Sequence, residues 1–231
     1  MTKPSKLGFS WHYQVPLIVP QGIERACFRL KKVFPEYVWN TVYLEDNPFT
    51  FPEVQTLLEG ITVGGHKLAD QQQVLNQSKS LNQLLSLVKQ KTFTLDKSTF
   101  CQLHRLVAFE EALEWGVFRT GDVKIAGTEH KPPPAEQLDQ IFHNGITYLN
   151  QMTNPLEQAI AMFLFGSLHQ FFYDGNKRTS RLMMNGILLS NGIDAINIPA
   201  KKKLEFNQTM LAFYDSHHAD DMMTFLVSLI H

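Results

Sequence analysis

The sequence predicts an all-α fold, a helical bundle that carries one β-hairpin. Beyond residue 20, apolar residues recur mostly at helical spacing. Residues 155–168 are apolar all round, which is typical of a helix at the centre of a bundle. Residues 117–131 differ, because they alternate in part and contain two glycine turns. That pattern predicts the single hairpin.

Local start and stop signals predict the elements in order. Residues 1–20 contain three prolines and predict an extended arm. Thr50 and Glu53 have the spacing of a capping box, and Asn154-Pro155 supplies an N-cap followed by a proline at the first helical position. The predicted helices cover residues 21–34, 36–45, 51–60, 67–91, 97–106, 135–152, 155–168, 176–192, 200–215 and 219–230.

Composition excludes several classes of protein. With 231 residues, 44% of them hydrophobic, the chain is long enough for one domain with a large core, and it is neither disordered nor collagen-like. A net charge of -1 gives no strong signal for nucleic acid. The longest apolar run, residues 159–165, is too short for a membrane span. Because Cys27 and Cys101 lack metal-type spacing and the start lacks a secretion signal, we expect a cytoplasmic protein with reduced thiols.

The chemistry is concentrated in residues 172–181, between two apolar helices. Gly175 permits a tight turn, and Asn176 is expected to cap the next helix, whose start attracts anions. Lys177 and the two arginines after it oppose the helix dipole by about 0.3–1 kcal/mol each. They either pair with carboxylates and solvent or bind a polyphosphate. Asp174 suits an anion site only if it holds a metal ion such as Mg²⁺.

These residues resemble the core motif of the Fic family, H-P-F-x-[D/E]-G-N-[G/K]-R-x-x-R. The matching positions are Phe172, Asp174, Gly175, Asn176, Lys177, Arg178 and Arg181. Residues 118–128, with Pro132-Pro133 after them, are similar to the family's flap hairpin. Residues 41–47 are similar to its inhibitory helix, with motif [S/T]-x-x-x-E-[G/N]. The resemblance covers about residues 36–230. It divides the chain into an arm and inhibitory region, residues 1–60, and a Fic domain, residues 61–231.

The resemblance implies the all-α Fic fold and transfer of AMP from ATP to a hydroxyl group of a target protein. Mg²⁺ would lie on Asp174, and the phosphates would lie on the N–H groups of residues 175–178, helped by the side chains of Asn176 and Arg178. Arg181 would hold the γ-phosphate. The target would be aligned by the flap, at Ile125, Ala126, Gly127, Thr128 and Glu129. The sequence does not name the target, and it leaves the oligomeric state open.

Two positions depart from the family pattern. Counting back from Asp174 without a gap places Gln170 at the histidine of the motif, with His169 one residue earlier. We favour this alignment, because a phosphate loop needs fixed geometry. A glutamine amide is not an ordinary general base, so catalysis would be weakened or lost. Glu45 matches the inhibitory glutamate that pairs with Arg181, but Asp46 stands where the family has Gly or Asn.

Three functions therefore stay open at this point. The first is a self-inhibited enzyme that transfers AMP. The second is a nucleotide-binding or interaction protein that has lost its base. The third is a Fic variant that moves another phosphate-containing group or removes AMP. His104, His217 and His218 lack metal-ligand spacing, and we expect His104 to be a packing or hydrogen-bonded histidine.

Overall fold

The structure is a computed structural model of the chain and describes residues 6–230. The helices within these residues are α1 (Ile23–Lys32), α2 (Phe34–Tyr43), α3 (Phe51–Leu58), α4 (Leu68–Lys89), α5 (Lys97–Val107), α6 (Leu138–Leu149), α7 (Pro155–His169), α8 (Asn176–Ser190), α9 (Lys203–Ser216) and α10 (Asp220–Val227), with short 3₁₀ turns at Ala135–Gln137 and Ala200–Lys202. The all-α class is confirmed, and each predicted helix is present with small shifts at its ends.

Helices α7 and α8 form the centre of the bundle. The Asn154 side chain accepts hydrogen bonds from the N–H groups of Leu156 and Glu157, so α7 begins where the sequence predicts. The two helices approach closely at Gly166, where an added Cβ would lie 2.1 Å from the Ser180 hydroxyl oxygen. This close approach fixes the segment between the two helices against the rest of the core.

The N-terminal arm lies extended across the ends of α9 and α10. The Ser10 N–H donates to the His217 carbonyl, and the Asp220 carboxylate accepts the N–H groups of His12 and Tyr13. Residues 9–22 contain no helix or turn, as expected for the predicted arm, whereas residues 6–8 form a turn; residues 1–5 lie outside the described part. One hydrophobic core contains side chains from both sides of residue 60, and the division of the chain there stays a prediction.

Residues 118–133, which we call the flap segment, are not confirmed as a β-hairpin. The described chain has no strand there, only two extended arms joined by a turn at Ala126-Gly127. Pro132, Pro133 and Pro134 have no N–H to donate, which removes the ladder at the base of the segment. No helix in residues 6–230 combines the length and apolarity needed to cross a bilayer.

Candidate functional site

A cavity of about 480 Å³ opens where four parts of the chain meet. These are the end of α2, the flap segment, the residues between α7 and α8, and one face of α9. The cavity brings together nine of the site residues predicted from the sequence: Glu45, Ile125, Ala126, Gln170, Asp174, Gly175, Asn176, Lys177 and Arg178. Arg181 is not part of the lining; it is 3% exposed and contacts Glu45, which is.

The remaining predicted flap residues line a second cavity. Gly127, Thr128 and Glu129 surround a space of about 530 Å³ together with His130 and the end of α9. Tyr214 lines both cavities. The flap segment therefore separates two spaces, and only its first arm faces the cationic residues.

Residues 170–175, which we call the anion loop, are closed by side-chain amides. Asn176 does not cap α8 as predicted, because it is the first helical residue and Gly175, with φ 72°, is the N-cap. The Asn176 side-chain Oδ1 accepts the Phe172 N–H at 2.9 Å, and its Nδ2 donates to the Phe172 carbonyl at 2.8 Å. Since no side chain caps α8, its first-turn N–H groups are left for a ligand.

His104 fastens the anion loop from the side of α5. Its Nδ1 accepts the Gly116 N–H at 2.9 Å, so its Nε2 donates to the Asp174 carbonyl at 2.9 Å. The ring stacks on Phe172 with 3.6 Å between centroids. Burial is the main cause that lowers the pKa of His104 to about 4, which keeps the ring neutral. His104 is thus the hydrogen-bonded packing histidine that the sequence predicts.

Arg178 is paired with a glutamate that sequence reasoning missed. Its Nη1 donates to Glu111 Oε2 at 2.7 Å, and its Nη2 lies 3.7 Å from Asp174 Oδ1. Glu111 also accepts hydrogen bonds from Asn76 and Gln73 of α4. Nothing in the sequence near Glu111 indicates this partner, because the contact joins residues 67 positions apart.

Arg181 and Lys177 share one carboxylate, that of Glu45. Arg181 Nη2 lies 3.1 Å from Glu45 Oε1, and Lys177 Nζ lies 3.3 Å from Glu45 Oε2. Burial raises the pKa of Glu45, but Lys177, Arg181 and Arg178 outweigh burial and hold the pKa at about 2. Within the described chain, Arg181 Nε and Nη1 are buried without a hydrogen-bond partner. The predicted inhibitory glutamate therefore contacts the predicted γ-phosphate arginine and leaves part of its donor capacity unused.

Comparison with known proteins identifies this arrangement. Residues 94–188 match the Fic/DOC family. The chain contains a Fic domain. It is 27% identical over 184 residues to a protein adenylyltransferase Fic of Drosophila ananassae, which covers 76% of this chain and 36% of that protein. The chain thus spans about a third of the length of that relative.

Solved structures share the fold of this Fic domain. Fic-1, residues 134–508, from C. elegans superposes with a TM-score of 0.76 and 21% identity, over 89% of this chain and 62% of that one. A Fic domain containing signalling protein from Bacteroides thetaiotaomicron superposes with a TM-score of 0.73 and 21% identity, over 93% of this chain and 87% of that one. At such identities the likeness concerns the fold alone.

The alignment without a gap predicts Gln170 at the histidine position of the Fic motif. Gln170 adopts a left-handed conformation, φ 48°, at the end of α7 and lines the cavity. Its Nε2 donates to the Ser167 carbonyl at 2.6 Å, and its Oε1 accepts from Asn176 at 3.0 Å. Both ends of the amide are therefore engaged in closing the anion loop.

His169 points away from the cavity of the Fic domain. Its Nε2 donates to the Leu7 carbonyl at 2.9 Å, under the N-terminal arm. Burial lowers the pKa of His169 to about 4, with smaller contributions from His130 and His217. The alignment without a gap stays a prediction.

Residues 41–47, the predicted inhibitory motif, contain a second ion pair that the sequence did not indicate. Asp46 adopts a left-handed conformation, φ 64°, where Gly or Asn is usually favoured. Lys203, the first residue of α9, donates to Asp46 Oδ1 at 2.6 Å and to the Tyr43 carbonyl at 2.7 Å. Lys203 therefore ties the last turn of α2 to α9, next to Glu45.

Proposed function

We propose that this Fic domain transfers AMP from ATP to a hydroxyl side chain of a target protein, and that Glu45 restrains the reaction. The observation that carries the proposal is the buried guanidinium of Arg181, which contacts Glu45 in the lining of the cavity and has two nitrogens without a partner in the described chain. A polyphosphate would supply the acceptors that those nitrogens lack. The curated relatives, named protein adenylyltransferases, support the same reaction.

In this reaction the hydroxyl oxygen attacks the α-phosphorus of ATP, and the bond to the β-phosphate oxygen breaks. Pyrophosphate leaves, and the hydroxyl proton is lost. The first-turn N–H groups of α8, Lys177 and Arg178 would hold the phosphates, and Arg181 would hold the γ-phosphate once Glu45 releases it. Fixed donors of this kind stabilise the charge that develops on the phosphate oxygens.

Asp174 fits a role in binding Mg²⁺. Its side chain is 63% exposed at the cavity, and one carboxylate oxygen accepts the Gly175 N–H at 2.5 Å. Residues 6–230 contain no group of three or more His, Cys, Asp or Glu suited to an ion. Mg²⁺ commonly uses one or two carboxylates together with substrate phosphates. Asp174 would therefore hold the ion jointly with ATP, and the ion would neutralise phosphate charge.

The proposal also includes a role for the flap segment and a location in the cell. Residues 125–129 would align an extended segment of the target protein, because backbone pairing with an extended arm needs no defined sequence. Cys27 and Cys101 are free thiols, which supports the cytoplasm as the proposed location. The oligomeric state stays open.

A second candidate function is a nucleotide-binding protein without catalysis. Gln170 favours it, because its amide does not titrate and both of its ends are engaged within the loop. Losing a positioned base costs a reaction about 10²–10⁴-fold in rate. The two candidates therefore differ in rate, not in the anion site itself.

The experiment is the initial rate of label transfer from ATP and Mg²⁺ for four proteins: the natural chain, Glu45→Gly, and Glu45→Gly combined with His169→Ala or with Gln170→His. We expect His169→Ala to leave the rate unchanged. Gln170→His should raise it by up to about 10²–10⁴-fold, less if loss of the amide loosens the loop. Loss of activity in His169→Ala would make His169 the base. No transfer by any of the four, with ATP bound, would favour the binding protein.

A further inference from the structure

Arg119 is a buried cation at the base of the flap segment. It is 2% exposed, and its guanidinium donates to three backbone carbonyls rather than to a ligand. A planar guanidinium presents its donors in a fixed fork, so three acceptors at its edges are held in a fixed arrangement. The role of Arg119 can therefore be inferred from where these three carbonyls lie in the chain.

The three carbonyls belong to two different parts of the site. Nη1 donates to Gly121 at 2.7 Å and Nη2 to Pro133 at 2.5 Å, so the fork joins the two arms of the flap segment. Nε donates to Gln170 at 2.6 Å, at the start of the anion loop. The backbone N–H of Arg119 adds a bond to the Phe171 carbonyl at 2.9 Å.

The local backbone explains why a side chain must make this connection. The proline run at the second arm cannot donate hydrogen bonds to the first arm. The carbonyls of residues 170 and 171 follow the last turn of α7, where no further helical N–H is available. Arg119 supplies donors to both sets of acceptors, in place of a β ladder on one side and a helical turn on the other.

The phosphate-binding half of the loop is held by other residues. His104 fixes the Asp174 carbonyl, and the Asn176 amide fixes both backbone groups of Phe172. Neither set of bonds involves Arg119. Thr128 and His130 also hold the second arm of the flap segment, through Asp215 and the Leu168 carbonyl. Loss of the Arg119 fork should therefore loosen the base of the flap segment while leaving the site for the phosphates in place.

We propose that Arg119 is the positioning residue that sets the flap segment against the anion loop and thereby fixes the target hydroxyl relative to the α-phosphate. The inference rests on the proposed function for its second half, but the position of the flap segment itself can be measured without any reaction.

The test compares Arg119→Lys with Arg105→Lys, both in the Glu45→Gly background. Lysine keeps the charge but has one nitrogen, so it cannot reach both arms and the loop. Arg105 lies on α5 and is exposed, which makes it a matched control. Arg119→Gln, which buries no charge, serves in place of Arg119→Lys if that variant does not fold.

Three measurements decide the outcome. Hydrogen exchange of the backbone N–H of residue 119, which is bonded to the Phe171 carbonyl, should rise about tenfold in Arg119→Lys alone, with α4 unchanged. The Kd for Mg²⁺-ATP should stay within about threefold, well under the tenfold that corresponds to 1.4 kcal/mol. The maximal rate of label transfer should fall by about 10²-fold at an unchanged KM for ATP, as expected for a misplaced acceptor.

Unchanged exchange in the flap segment would overturn the proposal. A fall in ATP affinity parallel to the fall in rate would also overturn it, because Arg119 would then act on the nucleotide site. If the Glu45→Gly parent transfers no label, the proposed function fails, while exchange and ATP affinity still decide whether Arg119 positions the flap segment.

Discussion

The two arginines of the motif each pair with a glutamate, and the two pairs are built differently. Arg178 pairs with Glu111, which is itself held by the Asn76 and Gln73 amides of the long helix α4. Arg181 pairs with Glu45, which lies just past the end of the short helix α2. Glu111 is thus held in place by α4, whereas a small movement of α2 would displace Glu45.

The two arginines also differ in how many of their hydrogen-bond donors lack a partner. Arg181 Nε and Nη1 are buried without a partner in the described chain. An unsatisfied buried donor costs about 1–3 kcal/mol, so a site with two of them favours an incoming anion. We infer that Glu111 positions Arg178 for phosphate, whereas Glu45 occupies Arg181 in place of phosphate.

The largest expected effect is that replacing Glu45 and replacing Glu111 change the rate of label transfer in opposite directions. Glu45→Gly should raise label transfer from ATP by up to about 10²-fold, because it frees a donor to the transferring phosphates. Glu111→Gly should lower the transfer, because Arg178 then loses its fixed partner. Glu45→Gln controls for the change in backbone freedom at the end of α2. Two changes in the same direction would contradict the division of roles.

The next effect concerns affinity rather than rate. Arg178→Ala should weaken binding of Mg²⁺-ATP by about 1–3 kcal/mol, because a charged hydrogen-bonding partner is removed. Calorimetric titration measures the loss, with Arg105→Ala as the control. Equal affinity of Arg178→Ala and the natural chain would remove Arg178 from the phosphate site.

A smaller effect should come from Lys203, which ties the end of α2 to α9. The Asp46 carboxyl is 89% exposed, and exposed ion pairs contribute about 0.2–1 kcal/mol, so Lys203→Met should raise label transfer only about two- to fivefold. Lys203→Arg should keep the natural rate, and Lys201→Met is the control. The gain should vanish when Glu45 is already Gly. A gain that persists there would show that Lys203 acts elsewhere.

The smallest effect is the pH dependence of stability near neutrality. The pKa of Glu45 is about 2 in the folded chain against an ordinary 4.5, so its stabilising contribution is complete above pH 4.5 and is lost as the pH falls towards 2. The difference in free energy of unfolding between the natural chain and Glu45→Gln should thus be constant from pH 5 to 8. Urea titrations measure it. A difference that changes between pH 6 and 7 would contradict a strongly paired Glu45.

Taking the difference between the natural chain and Glu45→Gln also removes the contribution of two buried histidines to the pH dependence of stability. The pKa values of His104 and His169 lie near 4, below the ordinary 6.5. Both contribute stability that is complete above pH 6.5 and is lost as the pH falls through 4. Because both histidines are present in the natural chain and in Glu45→Gln, their contribution cancels in the difference.

Sequence reasoning predicts well what local chemistry decides. The capping residues at Thr50 and Asn154 and the all-round apolarity of α7 depend on neighbours within one or two turns, and the structure has those helices in place. The pairing of Glu45 with Arg181 was also available, because a known motif connects the two positions.

The sequence does not predict choices made between distant segments. Asn176 looks like an N-cap, but its amide closes the loop on Phe172 because Gly175 already takes the cap position. The glycines of the flap segment predict a hairpin, but the prolines cannot donate hydrogen bonds at its base, where Arg119 joins the two arms instead. Glu111 and Lys203 carry no local signal, since their partners are far away in the chain.

The central claim, that this Fic domain transfers AMP, is tested most directly by labelling ATP on either its α- or its γ-phosphate. Glu45→Gly is incubated with each form, with Mg²⁺ and a cell extract, and labelled protein is measured above the label that the extract gives alone, because the kinases of the extract transfer the γ-phosphate. The account predicts label on protein from the α-phosphate only, because pyrophosphate carries the γ-phosphate away. Label from the γ-phosphate, or from neither form while ATP binds, would contradict it.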